Sequence, residues 1–217
     1  MSLTLYYHPL SSFCWKALIA LYENGTPFTP QMVDLSNETE RAALLKIWPI
    51  GKFPVLRDSA KDRIVPESTI IIEYLDTHYP GATRFLPADA DAARQIRLRD
   101  RFYDLYVHLP MQKIIGDRLR PATSRDAYGV SEAKAGLTSC YAMIDKEVAE
   151  RSWAMGETFG LADCAAAPAL FYASMVVPLS AEHENVAAYL ERVKARPSFA
   201  RVLKEAGPYF GMVPKET

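Results

Sequence analysis

Residues 3–24, LTLYYHPLSSFCWKALIALYEN, decide how this chain reads. Leu3–Tyr7 is a run of aliphatic, aromatic and β-branched residues that suits a buried strand. Pro9 ends it, because proline has no N–H to give to a ladder. Trp15, Leu18, Ile19 and Tyr22 then recur at helical spacing, and Ser11 or Ser12 stands where an N-cap belongs. The pattern predicts strand, turn and helix, with Ser11, Ser12, Phe13 and Cys14 at the helix N-terminus just beyond the carboxyl end of the strand. Open α/β sheets bind ligands at that place, and the amides and dipole of a helix N-terminus favour an anion there.

A thiolate is the anion with most to gain. Lowering a thiol from its ordinary pKa of about 8.5 to ~6.5 takes about 3 kcal/mol. A hydroxyl donating to a charged group supplies about 1.5–3 kcal/mol, and a helix N-terminus adds about 0.3–2 kcal/mol. A serine here is therefore able to hold a ligand's thiolate without itself reacting. From this stretch alone the serines also read as plain helix caps.

The 217 residues suffice for one large domain or two small ones. Hydrophobic residues at 49% and charged residues at 24% have the balance of a globular chain. A net charge of -1 gives no footing for nucleic acid or an anionic membrane surface. The longest uncharged run starts at Cys164 and is interrupted by Pro168 and Pro178. It falls short of the ~20 apolar residues of a membrane span and reads as a buried helix. No signal-peptide pattern follows Met1. The three cysteines, Cys14, Cys140 and Cys164, form no disulfide framework and suit a reducing cytoplasm. No His/Cys cluster has zinc spacing, so no metal is expected.

Gly25 closes the first helix as a C′ residue would. Residues 28–35 read as a second strand, with Pro30 pointing to an edge. Residues 38–48 form an amphipathic helix with Ala42, Leu45 and Trp48 on one face. Residues 53–57 and 63–65 make a hairpin, and residues 67–78 a helix that buries Ile70, Ile71, Tyr74 and Leu75. The order β-α-β-α-β-β-α occupies residues 1–79. A linker with two prolines and a glycine follows at 80–89, and residues 90–217 read as all helix. In this part, helices are expected at 92–120, with a kink at Pro110, and at 125–151, 161–177, 181–195 and 198–206.

Two further constellations carry chemistry. In Gly51-Lys52-Phe53-Pro54-Val55-Leu56 a proline opens a central strand, where its missing N–H is out of place unless useful. A cis Phe53–Pro54 bond would present the Phe53 N–H and C=O as a docking edge for a peptide. Pro66-Glu67-Ser68 is an ordinary helix start, or a holder for an amino-acid-like ligand end.

In this order and spacing, the three pieces resemble a cytosolic glutathione transferase over the whole chain. SSFCW followed by KALIAL is similar to the bacterial, serine-type, zeta-like or beta-like classes. The resemblance implies an α/β thioredoxin-like N-terminal domain, an all-α C-terminal domain and a two-fold homodimer in the cytoplasm. It also implies glutathione as co-substrate, with no bound cofactor. By this resemblance Ser11 takes the thiolate-stabilising place, Phe53 before Pro54 pairs with the cysteinyl part of glutathione, and Glu67 and Ser68 hold its γ-glutamyl end. Lys52 meets the glycyl carboxylate. Thr158–Asp163, TFGLAD, resembles the family's capping box, with Gly160 where the family has Ser or Thr. Asp163 then still accepts from the Gly160 N–H, but the reciprocal hydroxyl bond is lost.

Ser12 and Tyr7 are the other hydroxyls placed to stabilise the thiolate. Cys14 is a rival nucleophile, if the helix terminus lowers its own pKa, or else a small buried hydrophobe. A hydrophobic electrophile would bind between the two parts, where Tyr103, Tyr106, His108 and Met111 on the first long helix line the pocket, or else face the core or a partner subunit. The first functional reading is a transferase that ionises the thiol of glutathione and adds it to an electrophilic small molecule. The alternatives are a glutathione-dependent isomerase, a thiol reductase or peroxidase using Cys14, and a non-catalytic glutathione-binding module.

Overall fold

Strand β1 (Leu3–Tyr7) buries Leu3 and Leu5 and runs into the loop that leads to helix α1 (Ser12–Glu23). The computed structural model describes residues 2–215. Strand β2 (Thr29–Met32) lies parallel to β1, pairing Thr4 with Thr29 and Tyr7 with Met32. Strands β3 (Val55–Asp58) and β4 (Arg63–Pro66) form the expected hairpin, and β3 pairs antiparallel with β1. The sheet order is β2-β1-β3-β4. Pro30 sits on an edge strand, where a missing N–H costs no ladder bond.

Helix α2 (Glu38–Ile47) starts at Asn37, whose side chain caps Thr39 and Glu40. Its contact face differs from the 42/45/48 stripe. Leu44 is buried, and it packs with Val33 and Val55 beside Ile47 and Trp48, while Leu45 is 41% exposed. Helix α3 (Ser68–His78) also turns differently, with Ile71, Ile72 and Leu75 inward and Ile70 51% exposed. Three successive isoleucines satisfy several helical stripes, so the sheet beneath them decides which faces inward.

The second half contains α4 (Ala90–Phe102), a π-helical turn (Tyr103–His108), α5 (Leu109–Arg118), α6 (Ala127–Val148), α7 (Leu161–Val176), α8 (Glu184–Ala195) and α9 (Pro197–Ala206). At Pro110, where a kink is expected, the chain widens into the π turn just before it. Proline cannot donate to the carbonyl four residues back, which is that of Tyr106, and the Cys140 thiol donates to that oxygen at 3.3 Å.

Helix α7 is buried nearly all round, as its sequence requires. Asp163 anchors its start by accepting from Gly160 N at 2.9 Å, Ala154 N at 2.8 Å and Tyr189 Oη at 2.6 Å. Burial pushes the Asp163 carboxyl above its usual value despite these bonds.

Two compact units result. One is residues 2–86 together with Pro197–Phe210, and the other is Pro87–Arg196 with residues 211–215. Helix α9 thus belongs with the sheet, where Phe199 meets the buried Trp15 ring edge-on at 5.9 Å. The stretch read as a linker is likewise tied down at its start. Asn24 holds Thr83 through two 2.9 Å bonds, and Asp76 accepts from the amides of Phe85 and Leu86.

Candidate functional site

The register of the sheet brings three chain segments to one end of it. Tyr6 near the end of β1 pairs with Val55 at the start of β3, and Val55 pairs with Pro66 at the end of β4. From this end the chain enters α1 through Ser11 and α3 through Glu67, so two helix N-termini stand beside the Phe53–Pro54 segment.

Ser11 is the N-cap of α1. Its Oγ accepts from Cys14 N at 3.3 Å, and its carbonyl accepts from Trp15 N at 3.0 Å. The hydroxyl is half-buried and keeps a proton to donate. Ser12, one residue on, is buried at 6% exposure.

The Phe53–Pro54 bond is cis. Phe53 precedes the β3 ladder, and its ring stacks on His8 at 5.9 Å. Glu67 caps α3 with a φ of 70°, a left-handed backbone that costs a non-glycine residue about 1–3 kcal/mol. Its carboxylate is exposed and makes no cap bond, whereas Ser68 is buried. Lys52 is exposed beside Phe53.

Two residues that motif reading passed over tie these segments together. Lys16, only 1% exposed, donates from α1 to Thr69 Oγ1 on α3 at 2.8 Å. His8 accepts from Leu10 N through Nδ1 at 3.2 Å, and burial lowers its pKa against the opposing pull of Asp34. A histidine in a β1–α1 loop, or a lysine one turn into a buried helix, is the only trace of either in the sequence.

Residues 5–83 match the sequence model of the glutathione S-transferase N-terminal domain, and residues 102–197 match that of the glutathione S-transferase C-terminal domain. The chain belongs to the glutathione transferase family.

Similar curated proteins include a glutathione S-transferase, GstB, from Escherichia coli strain K12, 24% identical over 87% of this chain and 91% of that one. They also include a stringent starvation protein A homolog from Histophilus somni, 25% identical over 95% of this chain and 92% of that one. Among solved structures, a glutathione S-transferase from Methylobacterium radiotolerans in complex with glutathione sulfonate superposes with a TM-score of 0.79. It is 26% identical, and the match covers 99% of this chain and 96% of that one. The fold is shared at a TM-score of 0.85 with a glutathione S-transferase from Methylobacillus flagellatus with glutathione bound, which is 22% identical over 93% of this chain and 98% of that one.

Within this glutathione transferase chain the other candidates separate. Cys14 is fully buried, and burial pushes its thiol up to about 12, although hydrogen bonds from the Ser11 side chain and the His8 backbone pull the other way. Desolvation therefore decides between the two readings of Cys14, and it sits in the fold as a small buried hydrophobe. Tyr7 is half-buried with a raised pKa, from burial first and then from Glu205, Tyr209 and Cys14, so it stays a protonated donor.

Tyr103, His108 and Met111 turn inward. They are 1%, 2% and 2% exposed and lie in the helical core, while Tyr106 is 59% exposed. The π turn separates Tyr103 and Tyr106, which an α-helix would have set on one face. Cys140 is buried, with its thiol pushed up by burial, and Cys164 is buried as well. Among the described residues no group of three or more His, Cys, Asp or Glu is placed to hold a metal ion, and no helix is long and apolar enough to cross a membrane.

Proposed function

We propose that this protein is a glutathione-dependent transferase acting on small hydrophobic electrophiles. The observation that carries the reading is the convergence of Ser11, Phe53 and the Glu67–Ser68 start of α3 at one sheet end. In this reading the Phe53 backbone pairs with the cysteinyl residue, Glu67 and Ser68 take the γ-glutamyl end, and Lys52 takes the glycyl carboxylate. The Ser11 hydroxyl turns from Cys14 to the ligand's sulfur. The thiol proton leaves to water, the helix amides and Ser11 hold the thiolate, and its electron pair forms a C–S bond with the electrophile. A leaving group departs with its electrons, or a proton is taken up where the reaction is an addition. The site would work as a two-fold homodimer in the cytoplasm.

A non-catalytic binding role is the second reading. It is favoured by the similarity to a stringent starvation protein A homolog, 25% identical against 24% for GstB. The buried Cys14 weighs against a covalent reductase.

Calorimetric titration with glutathione, followed by glutathione-dependent assays on chlorinated aromatics, isothiocyanates, hydroperoxides and a cis-dienone, separates the readings. Binding with turnover of at least one class is expected. Binding without turnover leaves the module, and no binding to the folded protein overturns both.

A further inference from the structure

The ladder between β1 and β3 ends where Tyr6 pairs with Val55, and both Ser11 and Phe53 lie beyond it. Val55 also pairs with Pro66, so backbone bonds set the Phe53–Pro54 segment against the start of α3. They do not set Ser11 against Phe53. A hydroxyl that must meet a ligand's sulfur needs that second distance fixed as well, because reactive groups lose much of their effect when misplaced by about 1 Å.

His8 reaches both residues. Its carbonyl accepts from Ser11 N at 3.0 Å and closes the turn that leads into α1. The next carbonyl, of Pro9, accepts from the Trp15 indole at 2.5 Å and binds the loop to the helix. The His8 ring stacks on Phe53 at 5.9 Å with the planes 16° apart, and Phe53 in turn packs on Val33, Leu44 and Val55. The bond from Leu10 N to Nδ1, at 3.2 Å, fixes the ring's orientation. An imidazole that accepts through Nδ1 carries its proton on Nε2, so neither nitrogen is left to take a thiol proton. Burial keeps the ring neutral at pH 7 against the pull of Asp34. What His8 contributes is therefore position, not charge or proton transfer.

Resting on the glutathione reading above, we propose that His8 is a positioning residue for thiolate formation: its carbonyl holds Ser11 while its ring, stacked on Phe53, sets the distance from the Ser11 hydroxyl to the sulfur of a tripeptide docked on the Phe53 backbone. Docking itself depends on Phe53 and the start of α3, which the β3–β4 ladder holds together without His8. Loss of the ring should misplace the sulfur without releasing the ligand.

Ultraviolet titration of bound glutathione in the full-length protein reads the ionisation midpoint, and calorimetry reads the affinity. His8→Asn keeps an acceptor for Leu10 N but no ring, His8→Ala keeps neither, and His8→Phe keeps a ring to stack. His8→Asn, and His8→Ala where it folds, should raise the midpoint by about half a unit or more, roughly a threefold change in acidity, with affinity within about twofold of wild type. His8→Phe should restore most of the wild-type midpoint. Adding His8→Ala to Ser11→Gly should shift the midpoint no further, because a residue that acts through Ser11 has nothing left to position. A wild-type protein that leaves bound glutathione at its free midpoint overturns the parent reading and this role with it. A depressed wild-type midpoint that His8→Asn leaves unmoved overturns the role of His8 alone, as does a His8→Phe midpoint as high as that of His8→Asn or a His8→Ala shift that persists in Ser11→Gly.

Discussion

Replacing Ser11 separates two jobs that one hydroxyl performs. Its Oγ caps α1 through a 3.3 Å bond to Cys14 N, and in the proposed mechanism it also donates to the thiolate. Ser11→Ala removes both. The lost cap costs about 0.5–2 kcal/mol, and the long bond points to the low end, or roughly 1–4 °C in Tm for a chain of this size. Ser11→Gly keeps most of the cap, at a cost of only a few tenths of a kcal/mol, but has no hydroxyl. Both variants lose a hydrogen bond to a charged group worth about 1.5–3 kcal/mol. That raises the pKa of bound glutathione by about one to two units and, from a starting value of ~6.5, lowers the thiolate fraction at neutral pH about four- to fortyfold. The helix amides still act on the sulfur in both variants, so ionisation is weakened and not abolished. Ultraviolet titration of the bound thiolate, with kcat/KM over the same pH range, reads the chemistry, and thermal unfolding reads the cap. The two variants should match in ionisation and differ in Tm. A Ser11→Gly protein that binds glutathione with the wild-type ionisation midpoint refutes the assignment to Ser11.

Asp163→Ala leaves three buried donors, Ala154 N, Gly160 N and Tyr189 Oη, without their acceptor. A loss of about 3 kcal/mol or more is expected in urea unfolding, at about 1 kcal/mol or more per donor, and a loss under 1 kcal/mol contradicts it. Cys14→Ala should retain conjugation, and wild-type Cys14, with its thiol pushed up to about 12, should resist alkylation until the protein unfolds. Rapid labelling of native Cys14 would refute its burial. Asp58 sets a pH dependence. Burial pushes its carboxyl up, but bonds from Tyr79, Tyr74 and the amides of Ala60 and Lys61 outweigh this and hold it below its ordinary value. The native state therefore binds this proton less readily than the unfolded chain. The contribution is present above about pH 3.9 and is lost as the pH falls through the folded pKa below it. Asp58→Asn should flatten that acid limb in unfolding titrations across pH, and an unchanged limb counts against the assignment.

Much of this molecule was legible in local chemistry. The β1–loop–α1 unit, the Ser11 cap, the glycine after α1, the β3–β4 hairpin and the Asp163 bond to the Gly160 amide all depend on residues a few positions apart, so propensity and spacing reach them. Other features depended on partners distant in sequence. Which isoleucine of α3 turns inward, and which face α2 lays on the sheet, are chosen by the surface beneath them. Cys14 sits on the helical turn that spacing assigned it, yet its thiol is raised because desolvation comes from neighbours no local pattern names. Tyr103 and Tyr106 part company because a π turn precedes Pro110, with Cys140 of another helix taking the Tyr106 carbonyl.

Sequence alone determined the elements and the chemical character of each candidate group, because bond geometry, capping and side-chain period act over a single turn or strand. The tertiary structure decided which groups share a site and which keep their proton, because strand register sets proximity and burial sets the cost of charge.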